Sequence, residues 1–566
     1  MKRSLVYFVC AIMSYNIMAQ TVEPMLKSAW GQGTPYNDSC PDGSVAGCGP
    51  VAIGQILYFY QQPLHGYGSK TYNITTLDKE VTINYDEWTF DWNNILSNYS
   101  DITTDVNKKA VADLLYQVGV AMEANYGPST AVNSYARMLF GLQHYLHISP
   151  DSRYLHRKYY STAEWIEMIN ENLNAGHPVF YRGDWKFNGA TAGHMYVIDG
   201  KNEDGLYHIN WGNYGRNDKY VNINVLNQSG IQPGNRGVCY NYAQAAVFNC
   251  FPTPDCDTYL PQTCTLNEPI TLNSDKNLQA LTVNHGETFT LGSKLRNCCD
   301  KPVSITFSWA LVKNEERVSE FFNNSKYTLS AGNTFVNTVH QKIAIPKDIE
   351  DGVYQLKMFW KSDLNNDQWN VVWDDAPNYA DVKVKNGTVL ITIPDNHAGN
   401  PNLVLNGNIE EVDTWSPGTV PGRSFHLPII NNTINNFEGI IKLEIVVEDI
   451  TYEYQAEVAV YSQTNVDYHI LIPYSTIDLQ NKPIDSIRAY YIYEGNTYPM
   501  NDVHTNIDFI DANENAADIN VFDINGNRIA HIPAEKTHYE YPQLLKKIQR
   551  GIYIVQEGKK IRKIKL

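Results

Sequence analysis

Four residues of this chain have the types and spacing that nucleophilic catalysis requires, namely Cys48, His194, Asn210 and Gln32. Cys48 lies in GSVAGCGPVAIGQILYFYQ, between two glycines and directly before apolar residues at helical spacing. Pro50 suits the first turn of a helix, because its missing N–H costs nothing there. The pattern therefore predicts Cys48 at a helix N-terminus, where the helix dipole favours the nucleophilic thiolate. The alternative is a buried, inert cysteine in a core helix.

A cysteine nucleophile needs a base that is held in one orientation. The segment GHMYVIDGKNEDGLYHINWGN has two apolar runs around the turn KNEDG, which predicts an antiparallel hairpin. With the turn centred on Glu203, His194 faces residue 212, and Asn210 becomes its diagonal neighbour on the same face. A one-residue slip would move Asn210 to the other face. The alternatives are a structural histidine and a strand-end asparagine.

Gln32, in WGQGTPYN, precedes Cys48 by 16 residues. Its side-chain amide is a donor that could act with the Cys48 backbone N–H on the oxyanion of an acyl-transfer intermediate. The alternative is an ordinary loop glutamine.

No cofactor and no metal are predicted. The loop DLNNDQWNVVWD has oxygen ligands at calcium-like spacing, but Gln368 stands where a calcium loop needs glycine, which favours a hairpin tip.

Several separate segments carry a resemblance to a known family. In order they are WGQGTPYN, GCGPVAIGQILYFY, NYGPSTAVNSYA, GHPVFYRG, GHMYVIDG and YHINWG. Together they resemble the streptopain-like cysteine peptidases, whose fold is papain-like, over residues 21 to 250. The resemblance implies these roles: Cys48 as nucleophile, His194 as general base and then acid, Asn210 as orienter of His194, Gln32 as oxyanion donor, and Trp211 packing beside the pair.

The chain departs from the family pattern at three places. Gly49 and Pro50 follow the nucleophile where bulkier or hydroxyl residues are usual, and Tyr214 replaces a second tryptophan. Only the segment Gln20 to Ser28 stands where the family has a long inhibitory segment. We therefore expect residues 20 to 252 to be active without maturation, unless C-terminal modules cover the cleft.

Composition and the N-terminus bear on partners and location. The chain has 566 residues and a net charge of −17, which argues against nucleic acid or anionic lipid as partners. Lys2 and Arg3 precede an apolar run from Leu5 to Met18, and Ala19 follows it, which predicts a signal peptide over residues 1–19. The run is too short to span a membrane. A secreted or cell-surface protein is expected.

Pattern changes along the chain predict several domains. Mixed helical and strand signals over 20–252 indicate an α+β papain-like domain, and prolines and cysteines at 251–264 mark a linker. Short alternating runs predict immunoglobulin-like β-sandwiches at 265–393 and 402–512. The segment 516–566 resembles the sorting domain of type IX secretion, which implies contact with outer-membrane secretion machinery. In an exported chain, the cluster Cys250, Cys256, Cys264, Cys298 and Cys299 predicts disulfides rather than a zinc site.

The sequence thus predicts a secreted cysteine endopeptidase that acts on proteins or peptides. One alternative is a surface adhesin whose papain-like domain binds without cutting. Another is an amidase or transglutaminase that uses the same Cys–His chemistry.

Overall fold

The computed structural model describes residues 21–500 with gaps at 188–189, 229–238, 254–263, 267, 276–277, 335–336, 363–367, 375–376 and 413–419, and four strands beyond residue 518. The predicted signal peptide therefore lies outside the described residues. So do most of the linker, Cys256, half of the candidate calcium loop and much of the segment 516–566. The chain forms two compact units, Met1–Met500 and Asn501–Leu566. In the described part, no helix is both long and apolar enough to cross a bilayer.

The N-terminal region contains four helices, three of which begin at side-chain caps. They are α1 (Cys48–Tyr60), α2 (Asp105–Ala121), α3 (Tyr135–Leu146) and α4 (Thr162–Asn174). The side chains of Thr104 and Ser134 accept backbone N–H groups in the first turns of α2 and α3. Ser161 and Glu164 form a reciprocal capping box on α4. The starts of α2, α3 and α4 are therefore each encoded by a few neighbouring residues, whereas α1 follows Gly47 without a side-chain cap.

The strands of this region form one large antiparallel sheet and two small hairpins. The strands are β1 (Ser69–Ile74), β2 (Lys79–Asn84), β3 (Ala124–Asn125), β4 (Ala131–Val132), β5 (Arg153–His156), β6 (Val179–Phe187), β7 (Ala190–Lys201), β8 (Tyr207–Asn210), β9 (Lys219–Val221) and β10 (Tyr242–Phe248). The sheet order is β5-β10-β6-β7-β8-β9, with β1-β2 and β3-β4 apart. The predicted α+β class of this region is confirmed.

The large sheet is covered on both faces, which explains its continuous apolar strands. Phe180 and Val197 point into the core that α1, α2 and α3 share. Their neighbours Tyr181 and Tyr196 point into a second core, which contains Trp165 of α4. Successive residues of one strand thus supply opposite cores. The functional residues lie where β7 passes the start of α1.

The region after residue 263 is predominantly β, as predicted. Its first part contains β11 (Cys264–Leu266), β12 (Thr271–Leu272), β13 (Ala280–Asn284), β14 (Thr288–Ser293), β15 (Leu295–Asn297), β16 (Val303–Lys313), β17 (Glu316–Leu329), β18 (Val339–Ala344), β19 (Gly352–Ser362), β20 (Asn370–Val371), β21 (Trp373–Asp374), β22 (Tyr379–Lys385) and β23 (Thr388–Thr392). One sheet has the order β13-β23-β22-β19-β16-β17 with β20 on β19, and two smaller sheets are β12-β14-β18 and β15-β11-β21. A single apolar core joins them.

The next part has two sheets around a second core. Its strands are β24 (Val404–Leu405), β25 (Glu410–Val412), β26 (Gly422–Asn431), β27 (Phe437–Val447), β28 (Ile450–Val460), β29 (Thr464–Pro473), β30 (Ser486–Tyr493) and β31 (Asn496–Pro499). β26 pairs with β24, β25 and β29, and the other sheet has the order β28-β27-β30-β31. The C-terminal unit contains β32 (Ile519–Phe522), β33 (Arg528–Ile532), β34 (Ile552–Glu557) and β35 (Lys560–Lys565), in the order β33-β32-β34-β35.

The disulfide prediction is wrong for Cys250. This residue is a free thiol, fully buried in the core that α1, α2 and α3 share. Cys40 and Cys239 are likewise buried free thiols. Burial raises the pKa of Cys250 to about 12, which keeps the thiol protonated and unreactive.

Candidate active site

Cys48 is the first residue of α1, as the sequence predicts. The preceding Gly47 has φ 94 and ψ 145, a conformation that glycine tolerates and other residues rarely adopt. A Cβ on Gly47 would also lie 2.8 Å from Cγ2 of Thr130. The thiol is half-buried, whereas the next nine residues of the helix, from Gly49 to Leu57, are buried. The chain therefore presents this cysteine at the edge of a rigid core.

His194 lies on β7, opposite Gly183 of β6. Its Nε2 is 2.9 Å from the carbonyl oxygen of Trp211. That hydrogen bond leaves Nδ1 as the ring nitrogen available to Cys48, with which the imidazole forms a side-chain hydrogen bond. The Trp211 indole is fully buried, with its centroid 6.3 Å from the imidazole and an interplanar angle of 20°. Trp211 thus contacts His194 through both its ring and its backbone.

A small residue lets β7 approach the start of α1. A Cβ on Gly49 would lie 2.8 Å from Sδ of Met195 and 2.8 Å from Cε of Met122. Met195 follows His194 in the chain, so the close packing at Gly49 sets the distance between the strand and the helix. Met122 and Met195 therefore occupy the space that a side chain at position 49 would need.

Cys48 and His194 shift each other's ionisation in opposite directions. Burial on its own would raise the pKa of the Cys48 thiol, but the hydrogen bond and charge of His194, with N–H groups of Met195 and Gly49, lower it overall. Burial would lower the pKa of His194, but the bond to Cys48, its negative charge and the Trp211 carbonyl raise it overall. This pattern favours a thiolate–imidazolium pair, the reactive form of a cysteine nucleophile.

The predicted contact between Asn210 and His194 is wrong. Asn210 is 3% exposed. Its Oδ1 accepts hydrogen bonds from Nε2 of Gln55 at 3.0 Å and from the Gly212 N–H at 3.0 Å. Its Nδ2 donates to the carbonyl oxygen of Ser28 at 2.8 Å. The acceptor for His194 is instead the Trp211 carbonyl.

The cause is the register of the hairpin. Val197 pairs with Asn210, so the Asn210 side chain shares a face with Val197, whereas His194 points to the opposite face. A bulge between Ile198 and Gly200 shifts the pairing within the hairpin. Asp199, which the bulge releases from pairing, is fully buried and accepts hydrogen bonds from the Leu26 N–H and from His208. The bulge thus occurs where Asp199 accepts a hydrogen bond from Leu26 of the N-terminal segment.

Gln32 lies on a loop beside the start of α1. Its carbonyl accepts the Ala46 N–H at 2.9 Å, two residues before Cys48. Tyr214 covers this loop, because its hydroxyl accepts the Gly33 N–H at 2.9 Å and its ring would lie within 2.5 Å of a Cβ on Gly31. Tyr214 is 43% exposed, so part of its ring faces solvent above this loop.

Two residues of the site have no counterpart among the predicted ones. Tyr240 packs on His194 with ring centroids 5.0 Å apart, and Gln55 of α1 is a fully buried amide that bonds to Asn210. Gln55 had a signal in the sequence, since it is a polar residue within the apolar run of α1. No feature of the sequence around Tyr240 indicates its contact with His194.

Among the described residues, no group of three His, Cys, Asp or Glu side chains is placed to hold a metal ion.

Comparisons with known proteins place this arrangement in context. A family model described as the Peptidase C10 family matches residues 30–221. Streptopain of Streptococcus pyogenes is 27% identical over 266 residues, which cover 42% of this chain and 66% of streptopain. The thiol protease/hemagglutinin PrtT of Porphyromonas gingivalis is 29% identical over 233 residues, 39% of this chain and 26% of PrtT. The chain thus spans just under two thirds of streptopain.

A solved structure is also similar. Active wild-type interpain A, a cysteine protease of Prevotella intermedia, is 30% identical, and the match covers 41% of this chain and 96% of that protein with a TM-score of 0.38.

Proposed function

The chain belongs to the Peptidase C10 family of streptopain-like cysteine peptidases, and on that premise we propose that it is a secreted cysteine endopeptidase that hydrolyses peptide bonds of protein substrates. The observation that carries the proposal is the hydrogen bond between the side chains of Cys48 and His194, together with the opposed pKa shifts that it produces. A lowered thiol pKa beside a raised imidazole pKa favours the thiolate, which is the nucleophilic form of cysteine. Cys40 and Cys250, whose pKa values burial raises to about 12, lack this property.

The reaction proceeds through an acyl-enzyme. The Cys48 thiolate attacks the scissile carbonyl carbon, and the negative charge moves to the carbonyl oxygen. The Gln32 side-chain amide and the Cys48 backbone N–H donate hydrogen bonds to that oxygen. His194 then transfers its proton to the leaving amine, and the C–N bond breaks. In the second half, His194 takes a proton from water, the resulting hydroxide attacks the thioester, and the carboxylic acid leaves as the thiolate is restored.

Two contacts support the role of His194 as an oriented acid and base. The Trp211 carbonyl accepts from Nε2 and keeps Nδ1 directed at the thiol. The buried Trp211 ring and Tyr240 pack on the imidazole and restrict its rotation. An imidazole held in this way needs little reorganisation during the proton transfers.

The rest of the chain comprises export segments and β modules in this proposal. Residues 1–19 are the signal peptide, 20–252 the papain-like peptidase domain, 265–393 and 402–512 immunoglobulin-like modules, and 516–566 a sorting domain that engages outer-membrane secretion machinery. The separation of Asn501–Leu566 as a compact unit of its own supports the last assignment.

The test is hydrolysis of casein by the full chain under reducing conditions, together with labelling by a thiol-reactive epoxide. We expect Cys48→Ala to abolish both, because the substitution removes the nucleophilic sulfur. The matched control is Cys250→Ala, which also removes one thiol but should keep hydrolysis and labelling. Casein hydrolysis retained by Cys48→Ala would refute the proposal. Labelling without hydrolysis would favour the amidase or transglutaminase alternative, and neither in the parent chain would favour the adhesin.

A further inference from the structure

A network of buried polar side chains links the helix that carries Cys48 to the backbone that orients His194. Its members are Ser28, Gln55 and Asn210, which are 4%, 0% and 3% exposed. Burying three polar side chains is costly unless each forms hydrogen bonds, so their arrangement is strongly constrained. None of the three lies at hydrogen-bond distance from the reacting atoms in the mechanism above.

The first link is between Asn210 and one peptide unit. The peptide that joins Trp211 to Gly212 has its carbonyl oxygen 2.9 Å from Nε2 of His194 and its N–H 3.0 Å from Oδ1 of Asn210. A trans peptide is planar, and its C=O and N–H point in opposite directions. Because Asn210 fixes the N–H, it also fixes the direction of the carbonyl that His194 uses.

Gly212 permits this orientation of the peptide. Its φ is +64, in the left-handed region that favours glycine. A Cβ at this position would lie 3.0 Å from Cγ1 of Val51, one turn after Cys48 on α1. The peptide therefore packs directly against the helix that begins at the nucleophile.

The second link joins Asn210 to α1. Gln55 follows Cys48 by seven residues, about two helical turns, so the two side chains leave the same face of the helix. Gln55 donates from Nε2 to Oδ1 of Asn210 at 3.0 Å and accepts at Oε1 from Oγ of Ser28 at 2.9 Å and from the Trp30 N–H at 3.4 Å. If the oxygen and nitrogen of the Gln55 amide were exchanged, its NH2 group would face the Trp30 N–H, and two donors would oppose each other. The Trp30 N–H therefore fixes the orientation of the Gln55 amide.

The third link returns to the N-terminal segment. Nδ2 of Asn210 donates to the Ser28 carbonyl at 2.8 Å, which closes a ring of hydrogen bonds between Ser28, Gln55 and Asn210. Gln32 lies four residues after Ser28 in the chain. One rigid cluster thus joins the segments that carry Cys48, the His194 acceptor and Gln32.

We infer that Asn210 is a positioning residue that orients His194 through the Trp211–Gly212 peptide, and that Gln55 ties this peptide to the helix of Cys48. The inference rests on the proposed function, since it assigns a role within that mechanism. It also replaces the direct contact between Asn210 and His194 that the sequence predicts.

The experiment compares two substitutions at one position in the full chain. Asn210→Leu keeps the approximate volume but removes every hydrogen bond, so the peptide is no longer held. We expect kcat to fall about 10- to 100-fold with little change in KM, because orientation of the base matters in the transition state. Asn210→Asp keeps an acceptor oxygen for Gly212 and Gln55 but loses the donor to the Ser28 carbonyl, so we expect it to lose stability and to retain most of the parent kcat.

A second readout needs no peptide substrate. The rate of Cys48 alkylation by iodoacetamide, measured against pH, reports thiolate formation and therefore the pairing with His194. We expect its acid limb to move to higher pH in Asn210→Leu and to stay near the parent position in Asn210→Asp. If the parent chain proved to have no peptidase activity, the proposed function would fail, yet this profile would still decide the inference.

The matched control is Asn172→Leu on α4. Asn172 is also a buried amide, 7% exposed, whose Nδ2 donates to the Met168 carbonyl and whose Oδ1 accepts the Asn249 N–H. It should lose stability while keeping the parent kcat and alkylation profile. A folded Asn210→Leu with parental kcat and profile would overturn the inference. If Asn210→Leu does not fold, the test rests on Asn210→Asp. A folded Asn210→Asp that has lost the parental kcat would also overturn the inference.

Discussion

At the scale of single residues, the reactivity of Cys48 depends chiefly on His194. Burial would raise the pKa of its thiol, and His194 reverses that effect through a hydrogen bond and its charge. Lowering the pKa of Cys48 and raising the pKa of His194 both favour the state in which thiolate and imidazolium coexist. Activity should therefore show an acid limb from protonation of Cys48 and a basic limb from deprotonation of His194.

We expect His194→Ala to move the acid limb of Cys48 alkylation to higher pH. Without the imidazole, burial remains the main influence on the thiol and raises its pKa. An opposite charge at this range typically shifts a pKa by about 1 to 3 units, so the displacement should be of that order. Iodoacetamide alkylation against pH measures it, with Cys48→Ala giving the background from other thiols. Identical profiles in His194→Ala and the parent would contradict the assigned pairing.

At the scale of elements, the position of Cys48 depends on the turn that enters α1. Gly47 combines φ 94 with a close approach to Thr130, so an added Cβ would meet both strain and a clash. We expect Gly47→Ala to displace the first turn and lower kcat, with a stability loss of about 1 to 3 kcal/mol. Thermal unfolding and casein hydrolysis measure the two effects.

A suitable control is Gly176→Ala after α4. Gly176 has φ +79 but no atom within 4 Å of an added Cβ, so the substitution imposes backbone strain alone. It should cost some stability and leave kcat unchanged. If Gly47→Ala behaved in the same way as this control, the turn would not be what positions the nucleophile.

The sequence predicts those parts of the site that local signals determine. Gly47 and Pro50 flank Cys48, and they suffice to place the cysteine at the start of α1. The hairpin that carries His194 is also predictable from its turn. The face occupied by Asn210 is not, because it depends on a bulge at Asp199 that accompanies a contact with Leu26, 173 residues away in the chain. Such a contact does not change the alternation of polar and apolar residues along the strand, so the strand pattern does not reveal it.

At the scale of the whole region 21–500, both β parts pack on the peptidase region through buried polar contacts. Lys70, 1% exposed, forms ion pairs with Glu123 of its own region and, at 2.9 Å, with Asp300 after β15. Burial would raise the pKa of Asp300, but Lys70 and Tyr145 lower it overall. Asp300 therefore contributes stability at neutral pH that is lost as pH falls through its lowered pKa.

The second β part makes an equally specific contact. Nδ2 of Asn436 donates to the carbonyl oxygens of Lys158 at 2.9 Å and Tyr160 at 2.8 Å, and the ring of Tyr461 lies 4.0 Å from the fully buried Arg157 guanidinium. Cys239 of the peptidase region belongs to the same apolar core as this β part. It precedes Tyr240, which packs on His194. The second β part thus supports a wall of the candidate active site.

These contacts change the expectation for residues 20 to 252 alone. The sequence suggests that this segment is active by itself, but truncation would expose Arg157 and leave Lys70 with one carboxylate partner instead of two. Each lost hydrogen bond to a charged or buried group costs about 1 to 3 kcal/mol. We therefore expect the truncated chain to lose epoxide labelling of Cys48 at a lower temperature than the full chain.

The control for this comparison lies within the full chain. Asn436→Ala removes the contact with the peptidase region, whereas Asn431→Ala removes a fully buried asparagine whose Nδ2 bonds to Asn435 and Val460 of its own β part. If the β part supports the site, Asn436→Ala should lower the temperature at which labelling is lost more than Asn431→Ala does. Equal temperatures for the truncated and full chains would show instead that the peptidase region is stable alone, and that the β parts add no support to Tyr240 and His194.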